Sequence, residues 1–194
     1  MYRSFGKRIF DILLSLVGIL VLSPIFLLLI LLIKLDSSGP VFFKQRRMGR
    51  HKQEFNILKF RTMKVDTPSN TPTHLLENPD LYITKLGRLL RKSSLDELPQ
   101  LINILMGEMS VVGPRPALWN QYDLIAERDK YGANDIRPGL TGWAQVNGRD
   151  EISLVQKACF DGSYCNNTTL KFDIKILLIT IINIVKSEGV KEGV

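Results

Sequence analysis

The uncharged run ILLSLVGILVLSPIFLLLILLI, residues 12–33, decides what kind of fold this chain adopts. As a straight helix it reaches about 33 Å, enough to cross a bilayer. It is too long for the apolar region of a secretory signal peptide, and no small-residue cleavage site follows it. Two features argue against plain spanning. Ser23-Pro24 falls near the middle, where Pro24 removes a helix hydrogen bond and crowds the carbonyl one turn earlier. Each arm beside that break is about 16 Å long, roughly one leaflet. Both flanks are basic, with Arg3, Lys7 and Arg8 before the run and Lys34, Lys44, Arg46, Arg47 and Arg50 after it. The positive-inside rule places both ends on the cytoplasmic face. The expectation is a kinked, re-entrant helix hairpin over residues 1–35, bent at Ser23 and Pro24, with the Ser23 hydroxyl meeting the freed carbonyl. Residues 36–194 then form a domain on the cytoplasmic face.

The 194 residues suffice for one compact domain with such an appendage. A formal net charge of +7, from 26 Lys and Arg against 19 Asp and Glu, draws the chain to anionic partners. Nothing resembles a zinc finger, a basic helix with heptads or an aromatic RNA-binding signature, so no nucleic-acid partner is expected. Membrane lipids and nucleotide phosphates fit better. Cys159 and Cys165 match neither a zinc pattern nor a redox pair and read as reduced, structural thiols. His51 and His74 are too far apart in sequence to suggest a transition-metal site.

After a turn at residues 36–40, residues 41–45 and 54–60 read as two strands of a short β-hairpin joined by a basic link. Arg46, Arg47 and Arg50 of that link suit either phosphate contact or a basic surface facing lipid. Residues 66–79 read as a loop, and residues 83–91 as a short helix. The stretch Ser93-Ser94-Leu95-Asp96-Glu97-Leu98-Pro99-Gln100-Leu101 carries the chemistry. The apolar spacing of Leu98, Leu101, Ile102 and Leu105 predicts a helix starting at or just before Asp96, with Pro99 in its first turn. Asp96 and Glu97 would then sit at the positive end of the dipole. A carboxylate pair at a helix start is ordinary capping by itself. Arg88, Arg91 and Lys92 before it and Gly113-Pro114-Arg115-Pro116 after the helix point instead to a site for phosphate and a divalent metal.

Two prolines restrict the backbone around Arg115, which suits a guanidinium meeting phosphate in a fixed fork. A polar helix is expected over residues 116–131. In residues 137–149, three glycines with Arg137 and Arg149 suggest backbone approaching a phosphate. There is no Walker or dinucleotide-binding pattern. The last helix, residues 170–186, reads as an amphipathic element at the membrane interface or in the core, with Asp173 as a solvated helix-start residue. The fold class is α+β, mostly α-helical, with the re-entrant helix, the β-hairpin and a helical catalytic domain with interfacial amphipathic helices.

Ser23-Pro24, Lys59-Phe60-Arg61-Thr62-Met63, Ser94 to Gln100, Gly113-Pro114-Arg115-Pro116, and Arg137-Pro138-Gly139 through Gly148-Arg149, in this order and spacing, resemble the small monotopic phosphoglycosyl transferases among the bacterial sugar transferases. The resemblance covers nearly the whole chain. It implies transfer of a phosphosugar from a UDP-sugar to polyprenyl (undecaprenyl) phosphate, giving polyprenyl-diphosphate-sugar and UMP, at the bacterial inner membrane. This is the first membrane step of glycoconjugate and polysaccharide biosynthesis. It also implies a re-entrant helix at Ser23-Pro24, a covalent phosphosugar on Asp96, and Mg²⁺ as cofactor with Asp96 in contact. Glu97 becomes the neighbouring acid/base. Lys59, Arg91, Arg115 and Arg149 are expected to meet the phosphates, with Arg137 fixing the loop or joining them. Asp173 matches a carboxylate near the site. A homo-oligomer is compatible with the sequence. The competing readings are a glycosyltransferase releasing UDP and a basic membrane scaffold without catalysis.

Overall fold

The structure is a computed structural model that describes residues 2–67, 79–148 and 151–186. Arg149 and His74 lie outside the described residues, as does most of the loop expected at residues 66–79. After a π-helical turn, Tyr2–Gly6, helix α1 runs from Lys7 to Asp36. It stays helical through Pro24, so the proline does not end it as two separate arms would require. The Ser23 hydroxyl donates to the Leu20 carbonyl at 2.8 Å, the acceptor Pro24 has no N–H to reach.

One stripe of α1 faces the protein. Asp11, Ser15, Leu29 and Ile33 are buried, and Ile19, Phe26 and Ile30 pack on the two cores. A Cβ on Gly18 would lie 3.2 Å from Leu101. The opposite stripe, including Leu13, Val17, Leu20, Val21, Leu27, Leu28, Leu31 and Leu35, is exposed. Such a continuous apolar surface is far beyond the scattered exposure normal in a water-soluble protein.

Strands β1 (Phe42–Met48) and β2 (Glu54–Phe60) form the expected antiparallel hairpin, with Phe43 opposite Lys59 and Arg47 opposite Phe55. Arg46 and Arg47 therefore belong to a strand and not to the link. Helix α2 (Lys85–Lys92) is capped by the Thr84 hydroxyl. The helix predicted from Asp96 begins later, as α3 (Gln100–Met106), behind a 3-10 turn at Leu95–Glu97. The reason is local. Pro99 has no N–H for the Leu95 carbonyl, which accepts from Leu98 at 3.3 Å instead, and Ser94 takes a left-handed conformation with φ 56°.

Two further strands, β3 (Ser110–Val112) and β4 (Gly139–Thr141), pair in parallel. Helices α4 (Tyr122–Asp129), α5 (Trp143–Val146), α6 (Leu154–Asn166) and α7 (Leu170–Lys186) follow the order of the chain around them. The polar helix expected from residue 116 thus starts only at Tyr122, because Pro116–Leu118 runs extended beside β1. There Met48 N–H donates to the Ala117 carbonyl, and Arg47 bridges to Leu118. One core joins Phe55, Ile57, Leu101, Ile104, Met109, Val112, Tyr164 and Ile176; a second joins Leu29, Ile33, Val41, Phe60 and Leu90.

Candidate active site

The turn Leu95–Glu97 delivers two carboxylates to the open end of the hairpin. Lys59, near the end of β2, pairs with Glu97 at 2.8 Å and lies 3.9 Å from Asp96. Its placement depends on Asn103 of α3, which is wholly buried. Asn103 Oδ1 accepts from the Leu58 N–H at 2.9 Å, and its Nδ2 donates to the Asn56 carbonyl at 2.9 Å. The side chain thus acts as a short strand segment against β2 and locks the hairpin to α3. A polar residue inside the apolar spacing of that helix was the sequence signal for it.

Arg91, in the last turn of α2, donates Nε to the Thr62 hydroxyl at 3.0 Å, and its charge acts on Asp96. Arg115 lies 3.6 Å from Glu97. Arg47, read from sequence as a candidate for a lipid-facing surface, turns inward instead. Its guanidinium contacts Gln45 and the Pro116 carbonyl, next to Arg115 and Glu97. Burial and the neighbouring Arg115 draw it down to about 10. Arg46 stacks over the Trp119 ring at 4.4 Å, and Arg50 donates to the Asp135 carbonyl at 3.0 Å.

Asp96 is buried, and among the described residues its carboxylate accepts no hydrogen bond. Burial pushes its carboxyl above the ordinary value, and Glu97 adds to the push; Lys59, Arg91 and Arg115 pull it back. The result is a desolvated carboxylate whose charge is balanced through space and not by bonds, the condition for a nucleophile or a metal ligand. Asp96 and Glu97 make a donor set that fits Mg²⁺, which takes one or two carboxylates and completes its shell with phosphate oxygens and water. Among the described residues no group of three or more His, Cys, Asp or Glu offers a fuller cage.

Two sequence-predicted residues lie in other contacts. Arg137 donates Nε to the Gly107 carbonyl at 2.7 Å, behind α3. Asp173 is fully buried and not solvated. It accepts from Tyr164 Oη at 2.8 Å and Tyr2 Oη at 2.5 Å, and pairs with Lys7 at 2.8 Å. The glycines of residues 137–149 are also read differently. A Cβ on Gly139 would fall 2.1 Å from the Gly113 nitrogen, and one on Gly142 would fall 2.1 Å from the Gly113 oxygen. They let the β3 and β4 backbones close on each other, a need a phosphate loop and a tight strand pair share in sequence.

Comparison with known proteins agrees over most of the chain. The family model described as bacterial sugar transferase matches residues 2–187. The chain is 41% identical over 186 residues to the uncharacterized sugar transferase EpsL of Bacillus subtilis, covering 96% of this chain and 90% of that one. It is 40% identical over 198 residues to the exopolysaccharide production protein ExoY of Rhizobium meliloti, covering 95% of this chain and 87% of the relative. It is 42% identical over 183 residues to the UDP-glucose:undecaprenyl-phosphate glucose-1-phosphate transferase of Escherichia coli, covering 90% of this chain but 39% of that longer protein.

Proposed function

This chain belongs to the bacterial sugar transferase family and is a sugar-phosphate transferase, and from that premise we propose that it moves a phosphosugar from a UDP-sugar to a polyprenyl phosphate through a covalent intermediate on Asp96. The observation that carries the reading is the buried Asp96 carboxylate, unbonded among the described residues, beside Glu97 and among Lys59, Arg91 and Arg115. Those cations offset the repulsion a carboxylate meets on approaching a diphosphate. An Asp96 oxygen attacks the phosphorus that bears the sugar, the P–O bond to the nucleotide breaks, and UMP leaves with the electron pair. An oxygen of the lipid phosphate then attacks the same phosphorus, the bond to Asp96 breaks, and the carboxylate returns. Glu97, held by Lys59, takes the proton of a monoprotonated lipid phosphate. Asp96, with Glu97 beside it, would hold Mg²⁺, which when bound supplies further positive charge to the diphosphate.

The same reading makes α1 a re-entrant membrane element with the catalytic domain, residues 36–194, on the cytoplasmic face. Its support is that the stretches on both sides of Pro24 pack on one domain. Arg8 donates to the Ile104 and Leu105 carbonyls at 2.6 and 2.9 Å, while Ile33 packs with Phe60 and Leu90. Those two anchor points are roughly 37 Å apart along a helix, more than the hydrocarbon thickness. A straight spanning helix would hold only one of them at a cytoplasmic domain. The exposed Leu178, Ile181 and Ile182 of α7 suit an interfacial position.

The test is a panel of UDP-sugars with Mg²⁺ and no lipid acceptor. One UMP per enzyme, with a phosphosugar adduct in the intact mass that Asp96→Asn abolishes, is expected. Steady UMP only after polyprenyl phosphate is added would remove the intermediate, and release of UDP would replace the reaction. A cysteine at Arg3 should stay protected from membrane-impermeant reagent added outside; labelling there would overturn the re-entrant topology.

A further inference from the structure

Two guanidiniums grip the backbone that carries Arg115. From α4, Arg128 donates Nη1 to the Arg115 carbonyl at 2.9 Å, while its Nε and Nη2 hold Asp161 at 2.8 and 2.6 Å. From β1, Arg47 donates Nη1 to the next carbonyl, that of Pro116, at 3.0 Å, while its Nε and Nη2 hold Gln45 Oε1 at 3.1 and 2.6 Å. The two grips are built alike, yet their anchors differ in charge. Asp161 neutralises Arg128 in a buried ion pair, whereas the oxygen that orients Arg47 is that of a neutral amide. For holding an arginine alone, a carboxylate would be the stronger anchor. The neutral choice has an electrostatic consequence: Arg47 keeps its charge beside Arg115, at the edge of a site whose own carboxylates are Asp96 and Glu97.

We propose that Arg47 is a positioning residue for the phosphates of the donor nucleotide, and that Gln45 is what lets it serve in that way. Through the Pro116 carbonyl it fixes the loop from which Arg115 reaches the site. Because Gln45 orients it without cancelling it, Arg47 also adds positive potential that gathers a nucleoside diphosphate. The inference rests on the reading of Arg115 as a diphosphate contact. It separates two properties that most arginine contacts combine, geometry and charge, and each has its own variant. Gln45→Glu keeps the grip and cancels the charge. Arg47→Lys keeps the charge and loses the three-point grip.

The experiment measures transfer in detergent or nanodiscs, with UDP-sugar varied at low and high salt. Gln45→Glu is expected to raise KM for the UDP-sugar about tenfold at low salt, with kcat within about twofold, and the difference should shrink at high salt. Arg47→Lys is expected to lower kcat while keeping the wild-type salt dependence of KM, and its effect should largely vanish when Arg115 is already Lys. A Gln45→Glu KM equal to wild type at both salts overturns the charge role. Additive losses in Arg47→Lys/Arg115→Lys overturn the positioning role. A merely structural Arg47 would lower the melting temperature in Arg47→Lys but not in Gln45→Glu, and would leave the KM of Gln45→Glu at the wild-type value at both salts. If the wild type releases no UMP, the parent reading fails; if it does and the two variants behave like wild type, only this inference fails.

Discussion

Two polar clusters in this molecule each set a pair of carboxylates around one lysine and end in opposite states. At the foot of α1, Asp11 and Asp173 share Lys7, at 3.1 and 2.8 Å. Asp11 also accepts from the Ser110 hydroxyl and the Val111 N–H, both at 3.0 Å, and Asp173 from Tyr2 and Tyr164. Neither carboxylate is accessible, and the chain itself supplies their donors. At the Leu95–Glu97 turn, Asp96 and Glu97 share Lys59, but Asp96 stays 3.9 Å from it and accepts no hydrogen bond among the described residues. A closed cluster spends its charge on holding elements together, here the amino-terminal end of α1 to β3, α6 and α7. An open one keeps a carboxylate available. The difference lies in whether the fold brings hydroxyl and N–H donors to the carboxylates, not in the lysine they share.

The comparison breaks most sharply at Asp96. Asp96→Asn should cost about a thousandfold or more in UMP release, as loss of a nucleophile does. It should leave the melting temperature unchanged or raise it. Burial lifts the folded-state value of this carboxyl, so its neutral form is favoured. Wild-type stability is therefore lost as pH rises through that lifted value, and the advantage of Asn appears above it and disappears in acid. Thermal melts across pH check the sign.

The closed cluster should respond the other way. Lys7→Met leaves Asp11 and Asp173 buried without their shared cation and should cost about 3–5 kcal/mol of stability. Turnover per folded enzyme should stay near wild type. Equilibrium denaturation beside the wild type would read the deficit. A Lys7→Met enzyme that folds normally but cannot turn over would mean that this cluster is open after all.

Lys59→Met tests the opposite boundary. Lys59 is the first of the cations that lower Asp96. Removing it should move the acid limb of the kcat/KM profile to higher pH, with a loss of about 10–100-fold near neutrality. Smallest of all, Tyr164→Phe removes donors to Asp173 and to the Val112 carbonyl. It should cost about 1–2 kcal/mol in a melt and leave the pH profile unmoved.

Legibility followed the range of the interaction. The hairpin strands, the Thr84-capped helix α2 and the long apolar helix were readable because periodicity and local breakers specify them. So was the Ser23 hydroxyl on the Leu20 carbonyl, because both groups lie within one turn. Helix α6 went unread although Ser153 and Gln156 form a reciprocal capping box at its start, a signal present in the sequence. Strands β3 and β4 have three residues each and pair in parallel across a long connection, which leaves no hairpin signal. Asp173 looked like a first-turn acid because its partners, Tyr2, Lys7 and Tyr164, come from α6 and from the opposite end of the chain.

By itself the sequence determined the elements and the ingredients: an apolar helix with basic flanks, a hairpin, and Asp96-Glu97 with Arg88, Arg91 and Lys92 before it and Arg115 after it. Those follow from solvent preference, backbone stereochemistry and charge, which act over one or two turns. Only the tertiary structure decided which carboxylate stays open, that Arg47 turns inward to grip Pro116, and that both ends of α1 meet one domain. Whether a charge is matched depends on donors hundreds of atoms away along the chain, brought close only when the cores around Phe60 and Tyr164 pack.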